Sequence, residues 1–106
     1  MPELYAINLD GADLQEITDF LVDGIPVSDI YCPVWSPQGD RIAVSASNDS
    51  MGTHIWIIGV DLNQSTPGWG GRMTSLTKFV PQGSSGTIED TAAWSPTADR
   101  LVFARY

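Results

Sequence analysis

Few residues in this chain have the chemistry for catalysis. One histidine, His54, and one cysteine, Cys32, stand among 13 carboxylates and five basic residues. A cysteine nucleophile needs an orienting base, and His54 is the single candidate; Cys32, beside Pro33, reads instead as a small buried hydrophobe. One cysteine closes no intramolecular disulfide and holds no metal alone. A lone histidine is no zinc site without Cys or carboxylate companions, so His54 reads as a hydrogen-bonded residue at the head of a strand. Ser36 and Ser95 each precede a proline in matching contexts, which suits a turn better than a nucleophile. No Gly-x-Ser-x-Gly elbow, phosphate-cradling loop or Cys-x-x-Cys is present. Pro67-Gly-Trp-Gly-Gly71 is glycine-rich but opens no helix, so it reads as a hairpin tip. Its Trp69 is a candidate for stacking on a sugar ring or a partner. The expectation is a protein without catalytic residues, metal or cofactor.

Charge narrows the partners. The net charge is −8 over 106 residues. Binding a nucleic-acid backbone requires clustered Lys and Arg, and docking on anionic lipid does too, so neither is expected. No apolar run approaches the ~18 residues of a membrane span. The opening Met-Pro-Glu-Leu-Tyr lacks the basic and apolar regions of a secretory signal, which leaves the compartment open with a lean toward the cytoplasm. Hydrophobic residues make up 42% of the chain, enough for a core in one small domain.

The elements that would position these residues come in repeated form. Cys32 to Ser47 aligns with Thr91 to Tyr106 at an offset of 59, sharing Trp, Ser, Pro, Asp and Arg. Leu4 to Asp10 aligns with Ile55 to Asp61 at an offset of 51, and Leu14 to Thr18 with Met73 to Thr77 at 59 again. Three matched segments in one order indicate an internal repeat. Each segment reads as a short strand: apolar and β-branched, and bounded by turn signals such as Asp10-Gly11 and Pro37-Gln-Gly-Asp40. Strands are predicted over 4–9, 14–18, 32–36, 41–47, 54–60, 73–77, 91–95 and 100–106. The nearly continuous apolar run in 54–60 predicts burial on both faces. Trp35 and Trp94, at strand ends, are expected to pack in the core and pin the turns that follow. Asp40-Arg41 and Asp99-Arg100 are expected at turn and solvent-facing positions.

The order Trp-Ser-Pro, turn, Asp-Arg, apolar strand, Ile-Trp-Ile-Ile strand and Leu-x-x-Leu/Ile-Thr-like strand resembles the TolB-like, WD-like β-propeller repeat. The matching residues are Trp35-Ser36-Pro37, Gly39, Arg41, Ile55 to Ile58, Leu4 to Ile7, Asp10-Gly11 and Leu14 to Thr18. The departures are Gln38 and Thr97 where the family usually has Asp, and Ala98 where it has Gly. The resemblance implies an all-β fold of four-stranded antiparallel blades, two blade-equivalents per chain. Residues 4–18 would be an outer half-blade, 32–77 a whole blade and 91–106 an inner half-blade. Two blade-equivalents do not close a ring alone, so the expectation is homo-oligomerisation, a trimer forming a six-bladed propeller with a tetramer as the fallback; the competing readings are a piece of a longer propeller and an irregular small sandwich in which the two edges pair.

In that arrangement Asp23, Asp29, Tyr31, Asn48, Asp49, His54, Glu89 and Asp90 gather on one face, with Tyr31, Glu89 and Asp90 nearest the axis. This face is either a solvated acidic surface or a site for a basic protein or peptide. The oxygen donors would suit Ca²⁺ or Mg²⁺ better than Zn²⁺, but the Ca²⁺ loop pattern is absent. The expected function is a non-catalytic scaffold presenting loops for protein or peptide recognition. A glycan-binding propeller, through Trp69 and Tyr31, is the alternative, and the propeller part of a hydrolase a more distant one.

Overall fold

The computed structural model describes residues 2–18, 27–48, 52–63, 73–78 and 88–106. Eight strands and no helix occur among them: β1 (Tyr5–Ala6), β2 (Gln15–Glu16), β3 (Asp29–Trp35), β4 (Arg41–Asn48), β5 (Gly52–Val60), β6 (Met73–Lys78), β7 (Glu89–Trp94) and β8 (Leu101–Arg105). The chain is all-β. The strands form three antiparallel sheets: β1-β2, then β3-β4-β5-β6 in sequence order, then β7-β8. All eight fall on segments predicted as strands, with ends displaced by a few residues.

The repeat is geometric as well as chemical. In β3-β4 the pairs are Ile30↔Ala46, Tyr31↔Ser45, Val34↔Ala43 and Trp35↔Ile42. In β7-β8 they are Glu89↔Arg105, Asp90↔Ala104, Ala93↔Val102 and Trp94↔Leu101, the same register at the same offset. Both hairpins carry a bulge before the tryptophan, and Cys32 (φ 57°) and Thr91 (φ 59°) occupy matching left-handed positions there. The turns also match. The Ser36 hydroxyl donates to Asp40 Oδ1 (3.0 Å) and accepts from the Arg41 amide (3.1 Å). Ser95 does the same with Asp99 (2.8 Å) and Arg100 (3.2 Å). Gly39 (φ 76°) and Ala98 (φ 61°) both take the left-handed turn position, so Ala98 adopts what glycine supplies without strain. The outer hairpins do not share one register. Tyr5 faces Glu16, whereas its counterpart Trp56 faces Lys78 rather than Ser75.

The four-stranded sheet is covered on both faces. Successive residues of a strand point to opposite faces. Ile42, Val44 and Ala46 of β4, with Ile58 and Val60 of β5, form a core with Leu4 and Ile17 from the β1-β2 side. The opposite face carries β7, which crosses β3, β4 and β5 in turn. Trp94 meets Val34, Asp90 meets Ser45, and Glu89 reaches the head of β5 at the Ile55 amide. This explains the run of buried residues along β5, where Ile55 and Ile58 are completely enclosed. Each such isoleucine contributes about 1.5–3 kcal/mol.

Three expectations are corrected. Cys32 is exposed together with Pro33, at the bulge where the strand breaks register and the Cys32 backbone is left-handed. Trp35 is 40% exposed: its counterpart Trp94 has a sheet to pack against, and Trp35 borders an open cleft instead. Arg41 is only partly solvent-facing, with 39% of its side chain exposed. It lies 4.8 Å over the Trp94 ring and donates from Nη2 to the Ala98 carbonyl at 3.2 Å.

Candidate functional site

The strand ends bring most of the sequence candidates to one end of the molecule. β3, β5 and β7 begin there and β4 and β8 finish there, as the pairs Asp29↔Ser47, Asn48↔Gly52 and Glu89↔Arg105 require. Asp29, Tyr31, Asn48, His54, Glu89 and Asp90 therefore share this end. Asp23, Asp49 and Trp69 lie outside the described residues.

Glu89 and His54 are not on an open acidic surface. Glu89 is fully buried, and His54 nearly so. Glu89 Oε2 accepts from Arg105 Nε (2.9 Å) and Nη2 (2.7 Å). Its Oε1 lies 3.1 Å from His54 Nδ1 and accepts from the Ile55 amide at 3.4 Å. An ionised carboxylate only accepts, so Nδ1 carries the proton in this contact. Four contacts on two oxygens saturate the group, leaving nothing with which to move a substrate proton. Burial of this carboxylate follows from the fold. β7 is pressed against β5, as the Thr53↔Ile88 bridge shows, and Arg105 stands directly across the hairpin to neutralise the charge. Removing Arg105 would strand a buried carboxylate.

Asp29, Asp90 and Tyr31 keep a solvent side. Asp29 is exposed, its Oδ1 accepting only from the neighbouring Ile30 amide among the described contacts (2.9 Å). Asp90 is half-buried. Its Oδ1 takes the Thr91 amide at 2.7 Å and the Ser45 hydroxyl at 3.3 Å. The half-buried Tyr31 hydroxyl donates to Thr53 Oγ1 at 3.4 Å. Thus Tyr31 and Asp90 flank the Glu89 lock, with Asp29 at the rim. Among the described residues, no group of three His, Cys, Asp or Glu side chains could hold a metal ion. Nor is any helix long and apolar enough to cross a membrane.

Arg105, Ser45 and Thr53 were not singled out from the sequence. The signal for Arg105 was present: the register that sets Ile30 against Ala46 sets Glu89 against Arg105 once the repeat offset is applied. Elsewhere, Asp99 has a carboxyl of raised acidity. The Thr97 and Ser95 hydroxyls donate to it and hold its carboxyl below the usual aspartate value.

No protein family, curated protein or solved structure matches this chain. Function therefore rests on its own geometry.

Proposed function

We propose that this chain is a non-catalytic binding scaffold: a unit of a β-propeller that closes by homo-oligomerisation and presents the strand-end loops near Asp29, Tyr31 and Asp90 to a basic protein or peptide. The observation that carries this reading is the division of the strands into sheets of two, four and two, in which the two strands of the third sheet repeat the register of the first two strands of the second. Such a division supplies an outer half, a whole and an inner half of one repeating unit. Three copies make six units and four make eight, both within the range that propellers build.

Catalysis finds no support among the described groups. The Ser36 and Ser95 hydroxyls are engaged by their own turns, and Glu89 is saturated by Arg105, His54 and the Ile55 amide. The exposed Asp29 and half-buried Asp90, within a chain of net charge −8, favour a cationic partner.

The test is fluorescence anisotropy with an arginine- and lysine-rich decapeptide. Binding to the wild-type chain, weakened by salt and by the Asp29→Asn/Asp90→Asn pair, is expected. Equal binding by wild type and variant would contradict the site.

A further inference from the structure

We propose that Trp35 and Arg100 are the two unmatched halves of a lock between copies of this chain, built on the pattern that Trp94 and Arg41 complete within one copy. The proposal rests on the ring reading above and gives that ring its contact.

The template lies inside the chain. Trp94 Nε1 donates to the Val34 carbonyl at 3.1 Å, joining β7 to β3 across two sheets. Arg41 covers the same indole and reaches the Ala98 carbonyl in the next turn. Every participant has a counterpart 59 residues away: Trp35 for Trp94, Arg100 for Arg41, Ala93 for Val34 and Gly39 for Ala98. The turns holding them share hydrogen bonds and backbone conformation. Yet Trp35 is 40% exposed and Arg100 is exposed, and each borders a different cleft. Seating the β7-β8 hairpin of a second copy beside β1 would let Trp35 Nε1 donate to the Ala93 carbonyl of that copy. Arg100 of the same second copy would then cover Trp35 and reach the Gly39 carbonyl.

Burial supports the same occupant. Val102 is 75% exposed whereas its counterpart Ala43 is 0% exposed. Ala43 sits on a strand paired along both edges; among the described residues β8 pairs only with β7, and β1 only with β2. Carrying the β4-β5 register to β8 and β1 sets Val102 against Ala6, Phe103 against Tyr5 and Arg105 against Glu3. Apolar side chains meet apolar ones, and the single charged pair is of opposite sign. The occupant of the cleft lined by Leu4, Tyr5, Ile17 and Trp35 is thus a second copy's β7-β8 hairpin.

The experiment combines mass by light scattering with disulfide trapping of Ala6→Cys/Val102→Cys in a Cys32→Ser background. The expected result is a wild-type assembly, covalent joining of separate chains on oxidation, and about tenfold weaker assembly of Arg100→Glu with an unchanged circular dichroism spectrum. An assembly that neither traps through these cysteines nor responds to Arg100→Glu overturns this contact while leaving the ring reading intact. A single-chain mass at every concentration overturns both, and assigns the two edges to another occupant, such as adjoining repeats of a longer polypeptide.

Discussion

The indole of Trp94 donates to the carbonyl of Val34 at 3.1 Å, tying the last hairpin to the first strand of the central sheet. Arg41 closes over the ring from the same sheet. One aromatic side chain thereby joins two sheets by a hydrogen bond, a cation–π contact and apolar packing. Trp94→Phe should retain much of the packing and lose the hydrogen bond, costing about 1 kcal/mol. Trp94→Ala should cost about 3 kcal/mol. In a Val102→Pro background, which keeps the chain single, Trp35→Phe should change stability by no more than about 0.5 kcal/mol, as surface replacements do. Urea denaturation of the three variants checks the order, and an equal loss for Trp35→Phe and Trp94→Ala would refute it.

Glu89 and Arg105 are unequal partners. Glu89 is wholly buried, while the Arg105 side chain is 41% exposed and able to turn toward water. Arg105→Ala strands a buried carboxylate with His54 and one amide, and should cost about 3–5 kcal/mol. Glu89→Gln keeps an acceptor for His54 and releases Arg105 to solvent, so its loss should be smaller. Thermal unfolding of both variants tests the asymmetry.

Asp99 gives a local acid response. Hydroxyl donors from Thr97 and Ser95 hold its folded value below the ordinary 3.8. Its contribution is therefore present above that ordinary value and is lost as pH falls through the lower folded one. In Thr97→Ala the carboxyl should titrate closer to 3.8, read by NMR on its side-chain carbon. An unmoved midpoint would show that the turn hydroxyls do not set it.

Salt separates the two kinds of association. Each copy carries a net charge of −8, so copies repel one another through their overall field. Raising salt from 0.05 to 0.5 M, which shortens the screening length from above ~10 Å to well below it, should preserve or strengthen self-assembly and weaken basic-peptide binding. Parallel loss of both would mean that assembly depends on exposed ion pairs.

Much of this architecture was legible in the residues. Trp-Ser-Pro followed by Asp-Arg marked both turns, and their spacing carried the register of both inner hairpins. The apolar run His54 to Val60 announced a strand enclosed on both faces. What the pattern concealed was long-range. Ile88-Glu89-Asp90 reads locally as an acidic loop, because nothing in those three residues reveals that β7 lies against β5. Cys32 reads as core because cysteine behaves as a small hydrophobe, and nothing in its neighbours marks the left-handed bulge at which it is exposed. Trp35 and Trp94 sit in near-identical sequence contexts. Only the sheet packed beside Trp94 separates their surroundings.

The most direct test of the ring is the mass of the chain in solution. The account predicts an assembly of about three times the 11.5 kDa chain mass at micromolar concentration. It also predicts that Ala6→Pro and Val102→Pro, each blocking one strand edge, stay single alone and form a one-to-one pair when mixed. A wild-type mass of 11.5 kDa at all concentrations would contradict it.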